Sequence, residues 1–236
     1  MDCEVPESIG CIAGFLWEDM MDIYFFGDSI SFGQGISVDL GWVTKLSERL
    51  RKDFPEQDIT SINSSINGNT TRMALERMPY DIQSHHVDIL IVGFGMNDCN
   101  YWESDKGIPR VSPSAFEANL KEIIQRAYHF GAQEVILRTN HPSPRKTRMI
   151  NTQLTYAESN ANYNEIIRKV ADENKNIKFV DMEKAFIDYC QRDGVSLDEL
   201  VLPDQIHLSQ KGHEIYLETF YPKLKEYINK LLNSKE

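Results

Sequence analysis

Ile23-Tyr24-Phe25-Phe26-Gly27-Asp28-Ser29-Ile30-Ser31-Phe32-Gly33 is the stretch on which the reading of this chain turns. Its first four residues are apolar or aromatic and end at a turn signal, the pattern of a short buried strand. Gly27 lets the chain turn tightly without a Cβ clash, so Ser29 is expected at the carboxyl end of that strand. Ligands of open parallel sheets sit along that edge. Gly-Asp-Ser is also ordinary loop chemistry, so the other strand exits have to decide between the two.

Outward from there, strand-like and helix-like patterns alternate, which argues for an α/β domain with a parallel sheet. Trp42, Val43, Leu46 and Leu50 follow helical spacing, Ile59 to Ile62 reads as a second strand, and a helix from Thr71 to Met78 is expected to close at Pro79. Val87 to Phe94 is nearly continuous in apolar residues, as a central parallel strand should be. A helix is expected from a capping box at Ser114 and Glu117, carrying Phe116, Leu120, Ile123, Ile124 and Ala127 on one face and stopping at Gly131. Glu134 to Leu137 and Ile177 to Val180 supply two more strands, with an amphipathic face at Tyr163, Ile166, Ile167, Val170 and Ala171 between them. A final helix from about Gln210 to Leu232 is expected to kink or restart at Pro222. With no repeat or composition break, one domain over 23–236 is expected, preceded by an extension over 1–22.

The 236 residues can bury one substantial core. A net charge of −11 argues against a general nucleic-acid or anionic-membrane binder, because phosphate contacts need clustered cations. Cys3, Cys11, Cys99 and Cys190 form no CxxC pair, and free thiols in a reducing compartment are the simplest reading. The opening residues are acidic, lack a basic n-region and carry Glu18 and Asp19 among their apolar residues. They make a poor signal peptide, so a cytoplasmic location is expected, with no membrane partner. Sequons at Asn63 and Asn69 read as coincidence in that setting.

A serine hydroxyl is a weak nucleophile until a base takes its proton, and the base is most often a histidine oriented by a carboxylate. Leu202-Pro203-Asp204-Gln205-Ile206-His207 holds such a pair three residues apart, close enough for one irregular turn to present both. His213 is a rival base whose helical position favours packing or surface exposure. Acyl transfer also needs donors for an oxyanion. The loop with Gly68 follows the second strand, and Gly95-Met96-Asn97-Asp98 follows the third, so the Gly68 N–H, the Asn97 amide and the Ser29 N–H are three candidates. Asp28 and Asp98, with no histidine cluster nearby, read as loop-bracing acceptors rather than metal ligands. His85-His86 precedes the central strand and reads as surface.

Taken in this order, Gly27-Asp28-Ser29-Ile30 with Gly33, the Gly68 loop, Gly95-Met96-Asn97-Asp98 and Asp204-Gln205-Ile206-His207 resemble the blocks of the GDSL-type, or SGNH, serine hydrolase family. The resemblance runs from about Ile23 to Leu232. It implies a three-layer α/β/α sandwich around a five-stranded parallel sheet ordered 2-1-3-4-5. It also implies Ser29 as nucleophile and oxyanion donor, Gly68 and Asn97 as further donors, His207 as base and Asp204 as its orienter, with no metal or cofactor. In that order the crevice opens between the first and third strands, where Ser29 and Asn97 leave the sheet.

The function expected is a serine esterase for small acyl esters, an O-acetyl group on a carbohydrate foremost. An acyltransferase using the same residues, or a non-catalytic binding protein of the same fold, is the alternative. The stretch from Arg138 to Arg148 holds four cations, Arg138, Arg145, Lys146 and Arg148. Arg145 and Lys146 are candidates for a rim that meets an anionic group on the substrate, against the plainer reading of a solvated loop.

Overall fold

The computed structural model of the chain describes residues 20–234. Its first strand, β1 (Met20–Gly27), is paired on both edges, with β2 (Asp58–Asn63) on one side and β3 (Ile89–Gly93) on the other. β4 (Glu134–Arg138) and β5 (Lys178–Val180) extend the sheet, which is parallel throughout and ordered 2-1-3-4-5. All five residues of β3 are buried, which its unbroken apolar run requires of a strand covered on both faces. β2, at the edge, is largely polar, and none of its residues is fully buried.

The helices form two layers. α2 (Trp42–Asp53) and α6 (Met182–Asp193) pack against α7 (Gln210–Ser234), whereas α3 (Thr71–Met78) and α5 (Tyr156–Glu173) pack against α4 (Pro113–His129). The apolar faces read from spacing are the buried ones: Trp42, Val43, Leu46 and Leu50 in α2, and Phe116, Leu120, Ile123, Ile124 and Ala127 in α4. A four-residue helix, α1 (Ser29–Phe32), follows β1 directly. Among the described residues no helix is long and apolar enough to cross a membrane.

Several boundaries differ from expectation. β1 begins at Met20, and Met20 to Asp22 pair with Asp58 to Thr60, so the expected end of the extension at residue 22 falls inside a strand. The remainder of that extension, with Cys3 and Cys11, lies outside the described residues; Cys99 is buried and Cys190 half-buried, both as free thiols. α4 is capped by Ser112, whose Oγ accepts from Ala115 N, and not by Ser114. Pro113 takes the first helical position, where a missing N–H costs nothing, and that moves the cap ahead of it. A capping box does form at Thr155 and Glu158, at the start of α5. α3 does end at Met78 with Pro79 as its C-cap, as expected, but the chain continues from there into a π-helical turn, Pro79–Gln83. α7 runs unbroken through Pro222, which is exposed, so water can satisfy the carbonyl its ring leaves free.

Candidate active site

Ser29 stands at the exit of β1, the first residue of α1, and is nearly buried. Asp28 caps that turn by accepting from Ile30 N at 3.0 Å, and Gly33, at φ 86°, closes it. Gly27 is not in the left-handed region. A Cβ there would come within 2.9 Å of the Gly93 carbonyl oxygen and 3.0 Å of Ser31 Oγ, so the glycine serves close approach of β1 to β3 rather than a tight turn. Asp28 is fully buried, and burial raises its pKa against the opposing pull of Arg138 and the Ile30 N–H.

The loop between α6 and α7 brings His207 to Ser29 from the far end of the chain. His207 Nε2 lies 2.9 Å from Ser29 Oγ, and His207 Nδ1 lies 2.6 Å from Asp204 Oδ2. Asp204 Oδ1 accepts from the N–H groups of Ile206 (2.9 Å) and His207 (3.0 Å). Burial pushes the Asp204 pKa up, but His207 and the two N–H donors outweigh it and hold the carboxyl below its ordinary range. Asp204 ionised next to His207 Nδ1–H leaves Nε2 with its lone pair towards Ser29 Oγ–H, the tautomer that can take a proton.

Gly68 and Asn97 lie on the loops that leave β2 and β3, the strands on either side of β1. Gly68 has φ 76°, a conformation that side chains strain to adopt, and the space around its Cα is open. Asn97 Nδ2 donates to the Asn69 carbonyl at 3.0 Å, which ties the two loops together. Two arginines that the sequence reading passed over fasten the Gly68 loop. Arg77 donates to Asn69 Oδ1 (2.7 Å), the Ser64 carbonyl (2.6 Å) and the Gly27 carbonyl (3.2 Å), with its guanidinium over the Phe26 ring. Arg110 donates to the Gly68 carbonyl at 3.1 Å and lies over the half-exposed Trp102 ring. Asp98 accepts from both the N–H and the hydroxyl of Thr71, a loop-bracing role. Burial nonetheless raises its pKa to about 6.

Beneath the strand exits lies a polar layer, also missed. Arg138, expected with the exposed basic loop, is instead fully buried and donates to Tyr216 Oη (3.3 Å) and Ser31 Oγ (3.1 Å). Gly93 and Gly95 make room for it and for its neighbour: Cβ atoms there would sit 2.4 Å from the Arg138 guanidinium and 2.5 Å from Asn140 Nδ2. Asn160 and Asn164 of α5 hold Asn140 and His141 through side-chain bonds of 2.9 to 3.1 Å. Their signal was present in the sequence, as asparagines interrupting an otherwise apolar helical face.

The remaining candidates separate. Arg145 is half-buried above Tyr156 and Lys146 is exposed; neither forms an ion pair among the described residues. His213 is buried against α2, where its Nδ1 accepts from Trp42 N at 3.2 Å, and burial lowers its pKa to about 4. That is a packing role, away from Ser29. His86 is exposed and lies 3.6 Å from Asp22 and 3.5 Å from Asp88. Among the described residues no three His, Cys, Asp or Glu side chains converge so as to hold a metal ion. A groove of about 510 Å³ lined by Tyr189, Arg192, Lys211 and Glu214 contains none of the residues above.

Comparison with known proteins agrees with this arrangement of elements. An arylesterase of Vibrio mimicus is 30% identical over 116 residues, 49% of this chain and 53% of that protein. Esterase TesA of Pseudomonas aeruginosa is 28% identical over 131 residues, 54% of this chain and 60% of that protein. The chain thus spans somewhat over half the length of these curated relatives. Among solved structures, the acetyl xylan esterase AlAXEase superposes with a TM-score of 0.69 at 23% identity, covering 86% of this chain and 99% of that one, a likeness of fold. The profile of the GDSL-like lipase/acylhydrolase family matches residues 25–215, and the chain belongs to that family.

Proposed function

We propose that the protein is a serine esterase that removes small acyl groups, an O-acetyl group on a carbohydrate foremost. The observation that carries this is the unbroken line from Asp204 Oδ2 through His207 to Ser29 Oγ, at 2.6 and 2.9 Å. Ser29 Oγ attacks the ester carbonyl while His207 Nε2 takes its proton, and Asp204 stabilises the imidazolium. The developing oxyanion is met by the N–H groups of Ser29 and Gly68 and by the Asn97 amide, each such donor worth about 2.7–4 kcal/mol in the transition state. His207 then protonates the departing alcohol, leaving an acyl-Ser29 ester. A water deprotonated by His207 attacks that ester and releases the acid. The acetyl preference draws on the acetyl xylan esterase that shares the fold.

The basic loop bears on the alcohol side. Ser143, at its start, donates to the Gln205 carbonyl, so the loop abuts the one carrying Asp204 and His207. Arg145 and Lys146 are therefore placed in this reading as a rim for an anionic group on the substrate. A cytoplasmic location fits the unpaired thiols of Cys99 and Cys190.

Turnover of p-nitrophenyl acetate and octanoate by wild type and Ser29→Ala tests the proposal. Acetate hydrolysis is expected, lost in the variant, with octanoate poor throughout. Activity that survives in Ser29→Ala would overturn the nucleophile, and preference for octanoate would overturn the acyl class. In the same assay, Arg145→Ala with Lys146→Ala should raise KM for a carboxylate-bearing ester and leave a neutral one unchanged; equal effects on both would remove the rim.

A further inference from the structure

Of the three peptide units that connect Asp204 to His207, the last two, after Gln205 and after Ile206, are each held at both ends. In the first, Ile206 N donates to Asp204 Oδ1 at 2.9 Å while the Gln205 carbonyl accepts from Ser143 Oγ at 2.6 Å. In the second, His207 N donates to Asp204 Oδ1 at 3.0 Å while the Ile206 carbonyl meets His141 Nε2 at 2.8 Å. Gln205 is in the left-handed region at φ 62°, a conformation that a non-glycine residue keeps only when its surroundings impose it. Ser143 and His141 impose it from the exit of β4, more than 60 residues away in the chain.

The hydrogen on His141 is assigned by its neighbours. A carbonyl can only accept, so Nε2 carries the proton and donates to Ile206. His141 is fully buried, and burial, with the Arg138 charge adding to it, keeps the ring neutral by lowering its pKa to about 3 despite the Ile206 bond. Nδ1 is then a lone pair, and it accepts from Tyr216 Oη at 3.2 Å. Tyr216 Oη in turn accepts from Arg138, whose other arm reaches Ser31 Oγ. Hydrogen bonds therefore run beneath the site from Ser31, two residues past Ser29, to the carbonyl just before His207.

We propose that His141 is a positioning residue: its Nε2–H holds the Ile206 carbonyl, and so keeps the Asp204 carboxylate and the His207 imidazole aligned on Ser29. The proposal rests on the reading of Ser29, His207 and Asp204 as the reacting groups. It gives His141 no contact with substrate. Donors on both carbonyls also polarise the same units' N–H groups, which strengthens their bonds to Asp204.

Two amide replacements separate reach from polarity. In His141→Gln the side-chain nitrogen stands as far from Cα as Nε2 does, whereas in His141→Asn it is one bond short. His141→Asn is expected to lower kcat for p-nitrophenyl acetate on the order of 10²-fold, the cost of a misplaced catalytic group, with KM nearly unchanged. His141→Gln should restore most of that loss. The far-downfield proton resonance of His207 Nδ1–H reads the alignment without turnover: it should shift or vanish in His141→Asn and persist in His141→Gln. Equal behaviour of the two variants, or an unchanged kcat and resonance in His141→Asn, would overturn the proposal. Should both variants unfold, Tyr216→Phe decides, because it removes the hydroxyl that links Arg138 to His141 Nδ1 and leaves the ring held by the Ile206 carbonyl alone; an unchanged resonance and kcat there overturn the proposal as well. A wild type that hydrolyses no ester, with the resonance still answering to His141→Asn, would sink the esterase reading and leave the positioning role standing.

Discussion

The two loops that converge on Ser29 are fastened in opposite ways. The Gly68 loop hangs on charge: Arg77 and Arg110 donate to four of its own or neighbouring oxygen atoms and lie over Phe26 and Trp102. The Asp204–His207 loop hangs on neutral groups, the Ser143 hydroxyl and the His141 imidazole, backed by Tyr216 and two asparagines. A bond from a charged donor contributes about 1.5–3 kcal/mol, and a neutral one about 1 kcal/mol. The Gly68 side should therefore carry more of the stability, and the His207 side more of the chemistry.

The largest test falls on the His207 side. Asp204→Asn preserves an acceptor for the Ile206 and His207 N–H groups but turns an amide donor towards Nδ1, which forces the imidazole into the tautomer that cannot accept from Ser29. A drop in kcat of about 10⁴-fold is expected, with an unfolding midpoint in urea close to wild type. Loss of stability in proportion to loss of rate would erase the contrast between the loops. On the other side, Arg77→Ala should cost about 3 kcal/mol in urea unfolding, because it strips charged donors from four acceptors at once, the Asp81 carboxylate among them. A loss below about 1 kcal/mol would show that charge is not what secures that loop.

Acid should sharpen the difference, since histidines titrate where arginines do not. His213 has a pKa of about 4 in the folded chain against 6.5 unprotected. Between those values the unfolded chain binds a proton that the folded chain does not, so this stabilisation is full above about pH 6.5 and is lost as pH falls towards 4. His141, at about 3, adds to the same slope, and Asp98, raised to about 6, opposes it. His213→Leu should flatten the fall of Tm between pH 6.5 and 4 while lowering Tm at neutrality, as Trp42 N loses its acceptor. An unaltered slope would contradict the assignment.

The strands and the residues at their exits were legible because each left a local mark, whereas the sheet order came with the family resemblance. β3 is an unbroken apolar run, and Ser29, Gly68, Asn97 and the Asp204–His207 pair each follow a strand or precede the last helix. What supports them was not legible, because it is distant in sequence and polar where apolar residues are expected. Arg138 closes an apolar strand and looked like the first cation of a surface loop; only the missing side chains of Gly93 and Gly95 let it and Asn140 turn inward. α5 was read from Tyr163 onward, since Ser159 and Asn160 break the stripe although they are as buried as its apolar members. The start of α4 was misplaced for a local reason, the proline at its first position.

The position of β1 bears on how the chain assembles. The strand that carries Ser29 is made before either neighbour, yet it lies between them, and its last pair, Gly27 with Gly93, cannot form until β3 exists. During synthesis its apolar length, Met21 to Phe26, has an open edge on which any other extended segment could settle. A parallel sheet of this kind closes late, through contacts distant in sequence. Of the five strands, β1 thus waits longest for its second neighbour, and its open edge is a place where a nascent chain needs shielding.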